Sequence, residues 1–396
     1  MSQEPLAERF ARYSRAIRDE ALPVALVDLD ALERNVEAVV TPARGRGKTI
    51  RLASKSLRSV DLLRRVADRS GAAVRGVMAY CAAEARFLVE HGWDDVLIAY
   101  PSLQASDARH VALANAGGAT VRIAADDDAH LEVLSLAARA AGTTIPVVVD
   151  VDVAYRALGA HIGVRRSPLH DAGDVVAFVK RVRSTDGLSF GGLLAYEAHI
   201  AGLADDGATR AMKLFVRTSL ASQRRDIALA LAREGVAIPL FNGGGTGSVG
   251  WTADEAPITE VAAGSGFLTS HLFDGYRDIR LEPAVCFALQ AVRRPAPGFV
   301  TCLGGGFIAS GGAGPDRLPR PYLPEGLRLT KLEGAGEVQT PLLVPAGVHV
   351  PLGSPVFFRH AKTGELSEHF NEYILVRGDR IEGRALTYRG AGKAFL

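Results

Sequence analysis

The sequence predicts an α/β fold, namely a (β/α)8 TIM-type barrel with a second, discontinuous antiparallel β domain. Short β-rich apolar runs alternate with helix-period segments from about residue 24 to residue 280, and this alternation indicates parallel strands joined by helical crossovers. After Leu281 the apolar runs lie close together between proline, glycine and charged turns, which is typical of antiparallel sheets. A chain of 396 residues is also long enough for two domains.

The apolar runs before Leu281 define the barrel strands. They are Val24–Leu29, Ile50–Ala53, Val74–Tyr80, Val96–Tyr100, Thr120–Ala125, Pro146–Asp152, Phe190–Tyr196, Ile238–Phe241 and Thr259–Val261. Without the first run, eight remain, and they span roughly the 250 residues typical of such a barrel. We therefore expect residues 30–280 to form the barrel, and residues 1–29 with 281–396 to form the β domain, where Val24–Leu29 would be a strand.

Composition excludes several classes of protein. The formal net charge is only +2 and no basic run with interleaved aromatic residues occurs, so we expect no nucleic-acid partner. No stretch is long and apolar enough to span a bilayer, and the N-terminal segment lacks the apolar core of a signal peptide. The cysteines, Cys81, Cys286 and Cys302, are widely spaced, which favours reduced thiols over disulfides. We expect a cytoplasmic protein without membrane contacts.

Two glycine-rich segments follow the last two predicted barrel strands. NGGGTGS (Asn242–Ser248) comes after the seventh and AAGSG (Ala262–Gly266) after the eighth, where such barrels often bind phosphate. Glycines let backbone N–H groups approach a phosphate, and hydroxyl side chains add donors. The candidate phosphate-binding residues are Gly243, Gly244, Gly245, Thr246, Gly264, Ser265 and Gly266. Tight loops without a ligand are the alternative, but the occurrence of both loops at the two expected positions favours phosphate.

Lys55 ends the first predicted barrel strand in the segment RLASKS. A lysine at this position points into the barrel mouth, where a partly desolvated amine can lose its proton and condense with an aldehyde. A lone lysine more often extends into solvent. The two phosphate loops expected across the mouth favour the reactive interpretation.

The order of three further motifs resembles that of the fold-type III pyridoxal-phosphate enzymes, the alanine racemase-like barrels. LVDLDALERNV (Leu26–Val36) is similar to their opening strand and helix, VDVAYRALGAHIGVR (Val151–Arg165) to the segment after the fifth barrel strand, and GGLLAYEAHIAG (Gly191–Gly202) to the sixth-strand segment. The resemblance implies that pyridoxal 5'-phosphate is bound covalently by Lys55. It implies further that Arg156 lies near the phenolic oxygen of the cofactor ring.

The sixth-strand motif supplies a residue that stacks beside the ring in these enzymes. Tyr196 and His199 are the two candidates for this role in GGLLAYEAHIAG. Lys55, Tyr196 and His199 are therefore the expected catalytic residues.

The tail is similar to that of the D-threonine aldolase and D-serine dehydratase group within this fold. In GSPVFFRHAKTGELSEHFNEY (Gly353–Tyr373), the chain matches a turn and strand that lead to His-Ala-Cys in the group. The resemblance implies a lyase that acts on a β-hydroxy amino acid, expected in the D configuration, by retro-aldol cleavage or by dehydration and deamination. The glycine cluster Cys302–Gly314 loosely resembles a stretch of the same group that ends in a serine, here Ser310, but hairpin turns are the favoured interpretation.

In that group the His and the Cys of the tail bind a divalent metal, zinc or manganese, which holds the substrate's β-hydroxyl. His360 matches the His, but Lys362 stands where the Cys is expected, and lysine is a poor metal ligand. Three outcomes stay open. His360 forms a metal site with Glu365, Glu368 or His369; Lys362 contacts the substrate itself; or the segment is a solvated charged turn.

Other functions compete with a lyase. Racemases or epimerases of this fold place an arginine before the last glycine loop, where this chain has Ala262, and this difference disfavours racemisation. A non-catalytic pyridoxal-phosphate-binding protein is a further alternative, as is a phosphate-binding barrel without a covalent cofactor, but the large β domain disfavours the carrier. The related enzymes form head-to-tail dimers, and we expect a homodimer here as well. Apart from a second copy of the chain, the expected binding partner is a small amino acid substrate.

Overall fold

The computed structural model describes residues 4–157 and 160–395. Its strands are β1 Val24–Asp28, β2 Thr49–Ala53, β3 Val74–Ala79, β4 Asp95–Ile98, β5 Thr120–Ala125, β6 Ile145–Asp150, β7 Tyr155–Ala157, β8 Ala160–Ile162, β9 Leu188–Ala195, β10 Phe241–Gly243, β11 Glu260–Ala263, β12 Val285–Arg293, β13 Phe299–Leu303, β14 Arg320–Leu323, β15 Arg328–Leu329, β16 Gln339–Leu343, β17 Pro355–Arg359, β18 Glu372–Arg377 and β19 Arg380–Leu386. Its helices are α1 Leu6–Ala16, α2 Leu29–Arg44, α3 Val60–Ser70, α4 Ala82–Glu90, α5 Ala105–Ala116, α6 Asp128–Ala140, α7 Ala172–Ser184, α8 Ala198–Ala201, α9 Gly207–Arg233, α10 Val249–Ala253, α11 Ser265–Leu268 and α12 Thr363–Leu366. Among the described helices, none combines the length and the hydropathy needed to cross a membrane.

Eight parallel strands close the barrel in the order β10, β11, β2, β3, β4, β5, β6 and β9. Apolar side chains such as Leu97, Ala124 and Val148 fill part of its interior and are fully buried. Helices follow the strands and cover the outside, so the sheet is buried on both faces, as parallel sheets require. The predicted fold class is therefore confirmed.

The seventh barrel strand lies further along the chain than the sequence predicts. The predicted run is Ile238–Phe241, whereas β10 spans Phe241–Gly243. Pro239 lacks the N–H that a central strand donates to its neighbour, which explains the later start. As a result, Asn242 and Gly243 belong to the strand, and the glycine loop begins at Gly244.

The second sheet combines β1, which precedes the barrel in the sequence, with strands that follow the barrel. Strand β1 pairs antiparallel with β12, where Leu26 opposes Cys286, and parallel with β18, where Leu26 opposes Ile374. This pairing explains the ninth apolar run. The other pairings of this sheet are antiparallel, as predicted. The exception arises because the whole barrel lies between β1 and β18 in the sequence, so no hairpin sets their direction.

Helix α1 covers the second sheet, although the sequence analysis did not predict a helix there. Tyr13 packs on Phe357 with ring centroids 5.6 Å apart, and its hydroxyl donates a hydrogen bond of 2.8 Å to Asp28. Arg12 pairs with the same carboxylate at 2.7 Å. The signal was available, because Phe10 and Tyr13 recur at helical spacing along a polar segment.

A layer of charged side chains crosses the barrel interior. The fully buried Arg51 guanidinium contacts Glu260 at 2.5 Å and Asp95 at 2.9 Å. The Asn242 amide donates a hydrogen bond of 2.7 Å to the Glu260 carboxylate. Buried charges are tolerated when they are paired in this way, and the network fixes the Asn242 amide within β10.

Candidate active site

A cavity of about 330 Å³ opens at the carboxyl ends of the barrel strands. Its wall contains Lys55, Tyr196, residues of both glycine loops and, from the β domain, Lys362 and Glu365. A cavity of this size at this end of a barrel is typical of a small-molecule site. The structure thus brings together side chains that are far apart in the sequence.

Lys55 lies in a 3-10 turn, Ser54–Ser56, immediately after β2. The Ser54 side chain is buried and donates a hydrogen bond of 2.8 Å to the Met78 carbonyl on β3. This bond fixes the turn against the neighbouring strand, and the exposed Lys55 side chain extends into the cavity. The amine is therefore presented from a rigid element, which favours a precise geometry.

The β domain contacts the Lys55 turn directly through the start of α12. Thr363 Oγ1 donates a hydrogen bond of 2.9 Å to the Ser56 carbonyl. A Cβ atom on Gly364 would lie 1.8 Å from the Lys55 carbonyl oxygen, so only glycine fits between the two segments. The cavity wall that carries Lys362 is thereby held at a fixed distance from Lys55.

Gly364→Ala should displace the Lys55 turn and lower activity at least about tenfold, since misplacing a catalytic group by 1 Å can cost about a hundredfold. The measurement is the initial rate of the variant beside its thermal melting curve. Gly173→Ala in α7 is the control, because a Cβ there meets nothing within 4 Å. Equal activity of the two variants would contradict this account of Gly364.

The first glycine loop is held by Glu197, which is fully buried. Its carboxylate accepts hydrogen bonds from the Gly244 N–H at 2.8 Å and the Ser248 hydroxyl at 2.9 Å, and it forms an ion pair with Arg224. Burial acts to raise the pKa of Glu197, but the Arg224 charge and these hydrogen bonds outweigh burial and lower that pKa below its usual value. Glu197 therefore positions the loop as a carboxylate.

Sequence reasoning missed Glu197, although it lies between the two residues singled out in GGLLAYEAHIAG. A signal was available, since a glutamate inside an apolar strand segment is expected to be paired when it is buried.

The second glycine loop contacts the first loop and the end of β2. The Gly266 N–H donates a hydrogen bond of 3.1 Å to Thr246 Oγ1. A Cβ on Gly264 would lie 2.5 Å from the Ala53 carbonyl oxygen, so glycine permits this close approach. Gly244, Gly245, Thr246, Gly264 and Ser265 line the cavity, whereas Gly243 and Gly266 do not belong to its wall. Those two glycines instead allow the close packing of Arg224 and Thr246 behind the loops.

Tyr196 lies in the cavity wall beside the first glycine loop. A Cβ on Gly245 would approach its ring to 3.3 Å. Burial, assisted by the neighbouring Glu197 charge, raises the pKa of Tyr196 to about 12, so its phenol stays protonated at neutral pH. The ring can pack against a bound ligand without acting as a base.

Arg156 and His199 do not reach the Lys55 cavity. Both line a separate cavity of about 370 Å³, where Arg156 forms an ion pair with Asp152. Arg156 lies away from the Lys55 cavity because it belongs to β7. This strand pairs with β8 between β6 and α7 and interrupts the alternation of barrel strands and helices. His199 is buried in α8, and its Nε2 has no hydrogen-bond partner among the described residues.

Two arginines, Arg58 and Arg166, line the Lys55 cavity. Arg166 directly follows the motif Val151–Arg165, and the sequence analysis missed it. Its Nε donates a hydrogen bond of 2.8 Å to Asp150, and its Nη2 donates one of 2.7 Å to the Ala99 carbonyl. The guanidinium lies 4.8 Å from the ring centroid of Tyr100 and 5.9 Å from that of Tyr196. Arg166 is therefore fixed beside the aromatic part of the cavity wall.

Lys362, Ser310 and Glu365 form a hydrogen-bonded cluster at the β-domain side of the cavity. Lys362 Nζ lies 2.7 Å from Ser310 Oγ and 3.1 Å from Glu365 Oε1. Glu365 also accepts hydrogen bonds from the Ser310 hydroxyl at 2.6 Å and the Ser310 N–H at 2.7 Å. The segment Cys302–Gly314, read above as hairpin turns, thus supplies one member of the site.

The residues of this region do not fit the divalent metal that the tail motif implies. In residues 4–157 and 160–395, no group of three or more His, Cys, Asp or Glu side chains is arranged to hold a metal ion. Glu365 is engaged by Ser310 and Lys362, and Glu368 accepts a hydrogen bond from Arg58. His360 is buried, with its Nδ1 atom 2.6 Å from the Lys362 carbonyl oxygen, and it is not part of the cavity wall.

Comparison with known proteins yields one family model and several relatives. The model for the alanine racemase N-terminal domain matches residues 27–268. A 3-hydroxy-D-aspartate aldolase of Paracoccus denitrificans (strain Pd 1222) is 29% identical over 61% of this chain, and the match spans only 59% of that relative's length. A D-threonine aldolase of Arthrobacter sp is 27% identical over 69% of each chain.

Solved structures agree with the fold. D-threonine aldolase from Filomicrobium marinum superposes with a TM-score of 0.81 at 22% identity, covering 94% of this chain and 96% of that one. D-threo-3-hydroxyaspartate dehydratase from Delftia sp. HT23 gives a TM-score of 0.74 at 19% identity, covering 94% and 98%. At these identities the superpositions establish the fold and leave the activity to be inferred from the site.

Proposed function

The chain belongs to the alanine racemase N-terminal domain family, and from this premise we propose that it is a pyridoxal 5'-phosphate-dependent lyase acting on a β-hydroxy amino acid of the D configuration. One observation carries the proposal. The Lys55 amine shares a single cavity with both glycine loops. This cofactor requires an amine that condenses with its aldehyde and a set of donors that bind its phosphate.

The described residues fit the cofactor. Pyridoxal phosphate, when bound, supplies an aldehyde that condenses with amines and a ring that withdraws electrons from the substrate. Lys55 would hold its aldehyde carbon, and the two glycine loops with Thr246 and Ser265 would bind its phosphate. Tyr196 would pack on its ring. We assign to Arg166 the place beside the phenolic oxygen that the sequence resemblance gave to Arg156, because Arg166 lines the cavity and Arg156 does not.

Two reactions are compatible with a β-hydroxy substrate. Retro-aldol cleavage breaks the Cα–Cβ bond, releases an aldehyde and needs a base for the hydroxyl proton. Dehydration removes the Cα proton, breaks the Cβ–O bond and ends in a keto acid and ammonia, so it needs Lys55 as a base and an acid for the leaving oxygen. Relatives named for 3-hydroxy-D-aspartate and D-threonine support this substrate class.

Racemisation is the competing function, and Ala262 disfavours it. Ala262 lines the cavity directly before the last glycine loop. In racemases of this fold, the resemblance places an arginine at this position, where it contacts the cofactor ring. An alanine methyl group cannot donate a hydrogen bond to that ring. A lyase is therefore favoured.

A screen of D- and L-β-hydroxy amino acids tests the proposed function. The holoenzyme should convert a D-configured member to an aldehyde or to a keto acid, each detected separately. Interconversion of amino acid enantiomers without either product would replace the lyase with a racemase.

We also propose a head-to-tail homodimer in which the partner's β domain covers the barrel mouth. Tyr100 lines the cavity and is 50% exposed, so a single chain leaves the site wet, whereas a second subunit would exclude water. Light scattering of the holoenzyme should give twice the chain mass. A monomer that retains full activity at high dilution would contradict this prediction.

We propose a cytoplasmic location with a small amino acid as the partner. Cys81, Cys286 and Cys302 are free thiols, and the latter two are buried. Unpaired cysteines of this kind are usual in reducing compartments.

A further inference from the structure

The Lys362–Ser310–Glu365 cluster faces the same cavity as Lys55. Its position is rigid, because Gly364 and Thr363 dock the segment against the Lys55 turn. The Lys55 side chain from the barrel and the Lys362 side chain from the β domain therefore line one space in which a substrate would bind.

The cluster presents a proton donor to the cavity. An ammonium group has three N–H donors, and those of Lys362 have two partners among the described residues, Ser310 Oγ and Glu365 Oε1. One donor is left for a ligand. Burial acts to raise the pKa of Glu365, but the hydrogen bonds from Ser310 and Lys362 outweigh it and lower that pKa. The carboxylate thus keeps its charge beside the Lys362 ammonium group.

The described cavity wall offers few acceptors for a proton. It contains no imidazole, and Glu365 is its one carboxylate. Both Glu365 oxygens already accept hydrogen bonds from Ser310. The described wall contains four tyrosines, Tyr80, Tyr100, Tyr196 and Tyr276. Burial is the main cause that raises the phenol pKa values of Tyr80, Tyr196 and Tyr276, and a raised pKa keeps these three phenols protonated.

The two reactions need different proton-transfer groups in the cavity. Retro-aldol cleavage needs a group that accepts the β-hydroxyl proton, whereas elimination needs a group that donates a proton to the departing oxygen. Lys55 can serve as the base at Cα in elimination. The β-domain side of the cavity then has to supply an acid, which is what Lys362 offers.

We propose that the chain eliminates water from its substrate, with Lys362 as the proton donor to the leaving β-hydroxyl in place of a divalent metal; this inference rests on the function proposed above. Once the substrate amine has replaced Lys55 on the cofactor, the Cα–H bond breaks and its proton passes to the freed Lys55 amine. The electron pair forms the Cα–Cβ double bond, the Cβ–O bond breaks, and the oxygen takes a proton from Lys362 and leaves as water. Lys55 would then give up its proton to solvent and bind the cofactor again, which releases the enamine, and Lys362 would regain a proton from solvent. The enamine tautomerises and is hydrolysed by water to a keto acid and ammonia.

The same contacts explain why the described residues around Lys362 do not fit a divalent metal. The ammonium group of Lys362 is fixed where a positive charge is needed near the β-oxygen, and it repels a cation. A fixed ammonium donates a hydrogen bond or a proton but lacks the Lewis acidity that turns a bound hydroxyl into an alkoxide. Elimination requires only a proton donor for the leaving oxygen, whereas cleavage requires a deprotonated hydroxyl. A Lys in place of the expected Cys therefore favours dehydration over cleavage.

The test compares two steps of one reaction in the holoenzyme. A substrate deuterated at Cα reports proton abstraction by Lys55 through exchange with solvent, and keto acid with ammonia reports elimination. Lys362→Met, which keeps the length of the stem, should lower elimination by about a hundredfold or more while exchange at Cα stays within about threefold. Lys180→Ala is the matched control, because Lys180 forms an exposed ion pair with Glu234 away from the cavity wall.

Wild-type enzyme should form keto acid and ammonia without free aldehyde, and treatment with a chelator should leave the rate unchanged. Formation of aldehyde and glycine would overturn the proposal. So would loss of activity on chelation with recovery on adding zinc or manganese, or elimination that survives Lys362→Met. A parallel loss of exchange and elimination would make Lys362 a structural residue and would also overturn it.

These outcomes are distinguishable from a failure of the proposed function. If Lys55 carries a borohydride-reducible cofactor but no β-hydroxy amino acid is dehydrated, the elimination proposal is overturned and cofactor binding stands. If no reducible cofactor forms, the proposed function itself fails.

Discussion

Lys55→Ala should abolish turnover, with a loss in kcat of about 10⁴-fold or more, because one change removes both the cofactor's attachment point and the base at Cα. Lys362 is not free to substitute for it, since its Nζ atom is hydrogen-bonded to Ser310 and paired with Glu365. Initial rates with saturating pyridoxal phosphate measure this effect, and the visible absorbance of the protein reports the bound cofactor.

Lys180→Ala is again the control and should retain wild-type activity and absorbance. A Lys55→Ala variant that still formed a borohydride-reducible adduct at the wild-type level would contradict the assignment.

Glu197→Ala should lower both the free energy of unfolding and the affinity for the cofactor. The change removes the Glu197 partner of the fully buried Arg224, which keeps its ion pair with Glu255, and it leaves the Gly244 N–H without its acceptor. Breaking a buried pair by removing one member costs about 3–5 kcal/mol of unfolding free energy, and the pair with Glu255 should keep the loss near the lower end. The freed glycine loop should also bind phosphate more weakly, so cofactor affinity should fall. Urea unfolding and cofactor titration measure the two quantities.

Glu234→Ala is the matched control, because it removes an ion pair whose side chains are 54% and 43% exposed, and such pairs contribute about 0–1 kcal/mol. Equal unfolding free energies for the two variants would contradict the role given to Glu197.

The effect of Glu197 also has a defined pH dependence. Its pKa is lowered in the folded state, so its stabilisation is present above the unfolded-state pKa and disappears as the pH falls through the folded-state pKa. The stability difference between wild type and Glu197→Ala should therefore shrink in acid.

The fold could be predicted from the sequence because each of its signals is local. Strand and helix periods alternate through the barrel, and one spare run, Val24–Leu29, had to pair elsewhere. The chemical placement of Lys55 and the glycine loops followed from chain order, since the carboxyl ends of parallel strands meet at one face of a barrel. The resemblance to alanine racemase-like barrels is confirmed by the family match over residues 27–268.

The failures concern segments whose path is set by tertiary contacts. Arg156 lies within β7 and Arg166 follows β8, and nothing in the local pattern reveals which of them turns toward the barrel mouth. His199 was chosen for its chemistry, yet Glu197 in the same motif makes the contacts that hold the first glycine loop.

The tail could be predicted only in part. The motif comparison identified Lys362 as the residue that breaks the His-Ala-Cys pattern, but its partner Ser310 lies 52 residues earlier in another loop. Contacts between loops of that separation have no periodic signature in a single sequence. The ionic cluster therefore became apparent only in the folded chain.

Reduction of the wild-type holoenzyme with borohydride, followed by peptide mass mapping, identifies the lysine that holds the cofactor. We expect one modified peptide, which carries the phosphopyridoxyl group on Lys55. Modification of another lysine, such as Lys362 in the same cavity, or the absence of any modified peptide after incubation with the cofactor, would contradict this assignment.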